Sequence, residues 1–258
     1  MIEDRRGIDK LRFVLKGTAF ELTRDRMVDL YADTKFRIIY VSNPKSGCTT
    51  IKNVLFYCDR KFSFYEPERI HSSYYAFWRL GSHNYSDDVV DHFNREDVYV
   101  FSVTRHPLHR FISGFVDKLL PGGEDSYFDS RDLLCAYAGI DLAGDPIAAA
   151  VAYLDWLGRD ELPHVPPSMI DPHFRRQVDN LALGLNFPID FIGKIEEPEP
   201  ILDMFERITG IRPTEAWRQR RRVTNHPAKN ELLNSKKVRA AVERVYEADF
   251  RSFGYSLS

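Results

Sequence analysis

Within the nine residues Ser42-Asn43-Pro44-Lys45-Ser46-Gly47-Cys48-Thr49-Thr50 the chain places one ammonium, one glycine and four hydroxyls, directly after the apolar run Phe36 to Val41 and ahead of a helical pattern. Residues of these types in this order suit an oxyanion. A strand that enters a tight turn and continues as a helix leaves backbone N–H groups of the first helical turn unpaired, with the positive end of the helix dipole behind them. Lys45 adds a full charge, Thr49 and Thr50 add hydroxyl donors, and Ser46, Gly47 and Cys48 complete the turn. The order of residues narrows the ligand. A Walker A loop carries its lysine after the glycines and directly before Ser or Thr, whose hydroxyl holds magnesium. Here Lys45 precedes Gly47, and no Gly-Lys-Ser or Gly-Lys-Thr occurs, so an ordinary metal-dependent ATPase or GTPase is disfavoured and only a variant kinase stays open. A glycine turn between strand and helix is also a common plain connection, so the segment alone does not decide the matter.

A second segment adds to it. Val98-Tyr99-Val100-Phe101-Ser102-Val103 reads as a buried parallel strand, and Thr104-Arg105-His106-Pro107-Leu108-His109-Arg110-Phe111-Ile112-Ser113-Gly114-Phe115 follows at once. Pro107 fits the first turn of a helix, where its missing N–H costs nothing. Leu108, Phe111, Ile112 and Phe115 recur at helical spacing and predict a core-facing stripe. That places Arg105 at the carboxyl end of a strand and Ser113 about two turns along the helix, and an arginine fork with a serine hydroxyl grips a phosphate dianion.

Together the two segments resemble the nucleotide-binding signature of the sulfotransferases. In that family a Pro-Lys-x-Gly-x-Thr motif holds the 5'-phosphosulfate of 3'-phosphoadenosine 5'-phosphosulfate, and an Arg-x-Pro-x-x-Arg-x-x-Ser motif holds its 3'-phosphate. Pro44, Lys45, Gly47 and Thr49, then Arg105, Pro107, Arg110 and Ser113, stand here in that order. The likeness is to the carbohydrate sulfotransferases of the chondroitin, dermatan and HNK-1 type. Asp190-Phe191-Ile192-Gly193-Lys194-Ile195-Glu196 looks like their Asp-Phe-Ile-Gly-Lys-x-Glu segment, and Tyr246-Glu247-Ala248-Asp249-Phe250 to Phe253-Gly254-Tyr255 looks like their closing helix and tail. The resemblance implies transfer of a sulfuryl group from this donor to a hydroxyl of a sugar or glycan acceptor; with no signal-peptide core and no membrane-length stretch, unlike the membrane-anchored relatives, a soluble bacterial member is expected. The resemblance also implies donor contacts from Lys45, Ser46, Gly47, Cys48, Thr49, Thr50, Arg105 and Ser113.

Sulfuryl transfer needs charge neutralised on the leaving phosphate and a base for the attacking hydroxyl. Lys45 suits the first role, since an ammonium at the bridging oxygen stabilises charge as the bond breaks, although simple binding of the 5'-phosphate is the plainer role. For the base His71 is preferred, because it falls between the two motifs, where similar sulfotransferases place a His or Glu; a neutral imidazole accepts a hydroxyl proton near pH 7. The chain has eight histidines. His173, in Asp171-Pro172-His173-Phe174-Arg175, lies in a segment resembling the acceptor side of the carbohydrate enzymes, and His173 and Arg175 are candidate acceptor contacts. Glu66 and Glu68 are further candidates for the base. No metal-binding spacing such as HExxH is present, so no metal is expected. Two other readings remain: a phosphotransferase with the same cradle, and a nucleotide- or glycan-binding module without catalysis.

The elements that must position these groups follow from pattern and composition. With 258 residues, 43% hydrophobic and 29% charged, the chain reads as one soluble domain spanning 1–258, with a helical lead-in over 1–35. Alternating strands and helices predict an α/β class, a P-loop-like three-layer fold with a central, mostly parallel sheet flanked by helices and ligands at the strands' carboxyl ends. Further expectations are a strand at Phe62 to Tyr65, helices at Ser72 to Leu80, Asp87 to Asn94, Ser130 to Ala138, Pro146 to Leu157 and Glu199 to Thr209, a short buried strand at Phe191 to Gly193, and one closing helix from Ser235 to Phe250. A net charge of -2 gives no global attraction to nucleic acid. The run Arg218-Gln219-Arg220-Arg221-Arg222 is either a solvated surface or a lid over an anionic ligand. Three cysteines, Cys48, Cys58 and Cys135, form no disulfide or metal pattern, no apolar stretch reaches membrane length, and the N-terminus lacks a signal-peptide core, so a cytoplasmic location is expected. Oligomeric state leaves no mark in the sequence.

Overall fold

The computed structural model describes residues 29–33, 37–60, 78–80, 98–121, 138–159, 171–183, 189–218 and 225–256. The strands are β1 (Asp29–Asp33), β2 (Ile38–Ser42), β3 (Trp78–Leu80), β4 (Tyr99–Thr104) and β5 (Phe191–Lys194). The helices are α1 (Cys48–Arg60), α2 (Pro107–Lys118), α3 (Pro146–Leu157), α4 (Gln177–Asn180), α5 (Pro198–Thr209), α6 (Thr214–Arg218), α7 (Ala228–Asn234), α8 (Lys236–Val245) and α9 (Glu247–Phe253). They fall into two compact units, the first ending at Thr104 and resuming over Gln177–Arg222, the second made of Arg105–Arg176 and Val223–Ser258.

The first unit holds a sheet of order β3-β1-β2-β4-β5. Its α/β half is parallel: β2 pairs with β4 from Ile38↔Tyr99 to Val41↔Ser102, and β4 pairs with β5 from Phe101↔Phe191 to Thr104↔Lys194. Ile38-Ile39-Tyr40-Val41-Ser42 is buried at every position, as the β-branched and aromatic content of a central parallel strand predicts. Ile38, Tyr40, Phe101 and Val103 share one face, packed with Ile51, Val54 and Leu55 of α1, Ile201 and Phe205 of α5, and Trp217 of α6. Helices therefore flank the sheet, in agreement with the α/β expectation.

Gly193 shows how tightly α5 is seated. A Cβ there would lie 2.5 Å from Ile201 Cγ1, so only glycine lets the helix approach the strand. At the opposite end of the same segment Asp190 latches the sheet: its carboxylate accepts from the Val100 N–H at 2.9 Å and its own N–H donates to the Val100 carbonyl at 2.8 Å.

The second unit is helical. Leu108, Phe111, Ile112 and Phe115 of α2 face a core shared with Tyr153 of α3, Phe174, Leu232 of α7, Val242 of α8 and Phe250 of α9. Sequence punctuation sets its helix ends: Asp145 caps α3 by accepting from the N–H groups of Ile147 and Ala148, with Pro146 in the first turn, and Ser235 caps α8. Arg110 of α2 is 1% exposed. Its guanidinium donates to the carbonyls of Arg175 at 2.8 Å and Pro172 at 2.9 Å, and Tyr246 donates to the carbonyl between them, that of Phe174, at 2.7 Å. Burial pushes the Tyr246 phenol far above its ordinary range, opposed in part by the Arg110 charge, so it stays a donor at any working pH. Arg110→Met should lower stability by about 2–3 kcal/mol in a urea titration, because one buried and one half-buried carbonyl lose a donor; an unchanged midpoint would show that the clamp contributes nothing.

Several sequence expectations change. Residues 29–33, assigned to a helical lead-in, form β1, antiparallel to β2 from Asp29↔Ser42 to Asp33↔Ile38. Residues 78–80, read as the end of a helix, form β3 on the far side of β1, with Leu30↔Leu80 and Ala32↔Trp78 as partners. Strand pairing comes from an open edge elsewhere in the chain, which a local helical pattern does not report. These two strands make that half of the sheet antiparallel. β5 is only partly buried, with Gly193 alone fully covered. The closing helix breaks at Tyr246, whose backbone leaves helical geometry at φ −108, ψ 23. The expectations at Phe62 to Tyr65 and Asp87 to Asn94, and at Ser130 to Ala138 apart from its last residue, lie outside the described residues.

Candidate functional site

The parallel register brings the carboxyl ends of β2, β4 and β5 to one edge of the sheet, and the segment after β2 turns there. Asn43-Pro44-Lys45-Ser46 is closed by the Ser46 N–H donating to the Asn43 carbonyl at 3.1 Å. Proline in the second position and a left-handed residue in the third, Lys45 at φ 63, are the marks of a type II turn. That third position favours glycine or asparagine, and holding a lysine there costs roughly 1–2 kcal/mol. Strain of this kind gathers at binding and catalytic sites. Gly47 follows at φ 82, and a Cβ on it would also lie 2.7 Å from Ile195 Cδ1, so both backbone and space demand glycine.

α1 begins at once with Cys48, Thr49 and Thr50, all half-buried, and has no acidic residue in its first turn. The positive end of its dipole favours an anion at this turn. Lys45 through Thr50 form one continuous structure in the first unit.

A buried polar network that sequence reasoning missed braces this turn. Asn43, Ser46 and Gln177 are each 0% exposed. The Gln177 side-chain oxygen accepts from Asn43 Nδ2 at 2.8 Å and from Ser46 Oγ at 3.1 Å. Asn43 Nδ2 also donates to the Val103 carbonyl at 3.2 Å, and Asn180 Nδ2 donates to Asn43 Oδ1 at 3.3 Å. The only local signal was the polar pair Gln177 and Asn180 inside a short segment, and nothing in it pointed at residues more than a hundred positions earlier.

The other candidates belong to the second unit. Arg105, half-buried, follows Thr104, the last residue of β4, and Ser113 lies in α2, 6% exposed. His173 Nδ1 lies 2.6 Å from Asp171 Oδ1, which also accepts the His173 backbone N–H at 2.8 Å. Burial alone would raise the Asp171 carboxyl; the hydrogen bonds and charge of His173, with Lys118, outweigh it and hold the carboxyl below its ordinary range. The Asp171 carboxylate thus fixes the orientation of the His173 ring through Nδ1. Arg175 is 2% exposed and its carbonyl serves the Arg110 clamp. His71, Glu66 and Glu68 lie outside the described residues, as do residues 219–222 of the basic run; Arg218 ends α6. Among the described residues no group of three or more His, Cys, Asp or Glu gathers as a metal centre requires, and no helix is long and apolar enough to cross a membrane.

A parallel sheet that delivers a glycine-bearing turn and a helix N-terminus at its carboxyl edge is the frame of enzymes that grip phosphate and sulfate groups. The sulfotransferase family profile matches residues 28–256, and the chain belongs to that family. It is thus a transferase of sulfuryl groups, which sets the phosphotransferase reading aside. No curated protein and no solved structure matches the chain significantly.

Proposed function

We propose that this sulfotransferase moves a sulfuryl group from 3'-phosphoadenosine 5'-phosphosulfate to a hydroxyl of a carbohydrate. The observation that carries the donor assignment is the strained turn at Lys45 and Gly47, standing in a Pro-Lys-x-Gly-x-Thr segment with α1 directly behind it. Turn N–H groups, Lys45 and the hydroxyls of Thr49 and Thr50 suit a 5'-phosphosulfate, with Cys48 completing the turn; Ser46 offers its backbone only, because its buried hydroxyl donates to Gln177. Arg105 and Ser113 take the 3'-phosphate in this reading. The acceptor oxygen bonds to sulfur, the bond from sulfur to the leaving phosphate oxygen breaks, and that oxygen keeps the electron pair beside the Lys45 ammonium. His71 receives the hydroxyl proton. A second reading gives that proton to His173, favoured by its hydrogen bond to Asp171. The sugar assignment rests on the likeness of Asp190 to Glu196 and of the closing segment to the carbohydrate enzymes.

Single-turnover transfer of labelled sulfate from the phosphosulfate donor to a panel of glycans tests the reading; label that stays on the donor with every glycan sinks the acceptor class. Calorimetry with 3'-phosphoadenosine 5'-phosphate tests the donor. Arg105→Ala should weaken that binding roughly 10- to 100-fold, the weight of charge-assisted hydrogen bonds to phosphate. Equal affinity for the nucleotide lacking the 3'-phosphate would remove Arg105 from its role.

A further inference from the structure

We propose that Gln177 is a positioning residue for donor binding, acting by holding the Asn43–Gly47 turn in its strained form; the proposal rests on the donor reading above. One side-chain oxygen of Gln177 accepts from Asn43 at the first position of the turn and from Ser46 at the fourth. It therefore spans the turn in parallel with the backbone hydrogen bond from Ser46 to Asn43. Between those two anchored residues stand Pro44 and the left-handed Lys45. An unbraced turn of this composition relaxes, because lysine gains by returning to negative φ. Relaxation flips the Pro44–Lys45 peptide, re-aims the Lys45 N–H and shifts the Lys45 side chain.

The network is also anchored to the sheet. Asn43 Nδ2 reaches the Val103 carbonyl near the end of β4, and Asn180, one helical turn after Gln177, holds Asn43 Oδ1. All the members are buried, so each hydrogen bond is made without competition from water, and the loss of one partner is felt by the others. A binding-competent form that is only partly populated weakens apparent affinity by that fraction. Gln177 thus raises donor affinity without touching the donor.

The test compares wild type with Gln177→Leu, Ser46→Ala and the double variant, measuring donor KM, acceptor KM, kcat and the Kd of 3'-phosphoadenosine 5'-phosphate. Gln177→Leu should raise donor KM and Kd about tenfold and leave acceptor KM unchanged. The double variant should be no worse than Gln177→Leu alone, since both remove support from one turn. A purely structural glutamine would instead lower the active fraction, cutting kcat and melting temperature at constant donor KM, and that pattern overturns the proposal. If Gln177→Leu does not fold, Gln177→Asn, which keeps an amide but falls short of the turn, is read by the same Kd; wild-type affinity in it also overturns the proposal. Wild type that binds no 3'-phosphoadenosine 5'-phosphate at all instead sinks the donor reading, a failure visible before any variant is made.

Discussion

Lys45→Ala and Lys45→Gly are both expected to lose sulfuryl transfer by about 10²–10³-fold, the usual weight of one group that stabilises charge developing in a transition state. Their stabilities should differ in the opposite sense to any functional ranking. Alanine keeps the left-handed backbone of residue 45 and its penalty, whereas glycine removes it, so Lys45→Gly should be the more stable by about 1 kcal/mol. For a chain of this size that is about 2–4 °C in melting temperature by calorimetry. A site that trades stability for placement of an ammonium predicts this pairing of results. Full turnover in Lys45→Ala would end the catalytic assignment, and equal melting temperatures would show that the turn is unstrained in solution.

His71→Ala should lower kcat by about 10²–10⁴-fold, the range for loss of a general base, while calorimetric binding of 3'-phosphoadenosine 5'-phosphate stays near the wild-type value. Turnover that survives in His71→Ala and fails in His173→Ala transfers the role to His173. In that case Asp171→Asn should also reduce turnover, because an amide no longer fixes the ring through Nδ1 as the carboxylate does. Acid titration gives an independent handle on the pair. Asp171 is held below its ordinary range, so the stability it contributes is present above the unfolded carboxylate range and is lost as pH falls through the lower folded value. Asp171→Asn removes that part of the acid transition whichever histidine is the base.

Much of the site was legible because it is local. Strand, turn and helix N-terminus from Ile38 to Arg60 are contiguous, and the groups proposed to meet the donor's 5' end come from consecutive residues. Pro107 at the start of α2 and the apolar spacing of Leu108, Phe111, Ile112 and Phe115 announced that helix for the same reason. Ser72 to Leu80 misled because its last three residues answer to β1, not to their own neighbours, and the helix from Ser235 misled because Tyr246 answers to Phe174. Arg110 reads in sequence as part of a phosphate motif, yet in the fold its guanidinium clamps the carbonyls of Pro172 and Arg175.

The amino-acid order alone determined the family, the glycine-bearing turn between β2 and α1 and the α/β class, since each rests on residue types at short, fixed spacings that backbone chemistry reads directly. Tertiary structure decided that Lys45 is strained, that Asn43, Ser46, Gln177 and Asn180 form one buried network, that Asp171 orients His173, and that antiparallel strands extend the parallel sheet. Apart from the short-range Asp171–His173 bond and the φ of Lys45, those facts depend on hydrogen bonds between residues distant in the chain. A burial-driven fold selects such partners only once the sheet and its helices have closed around them.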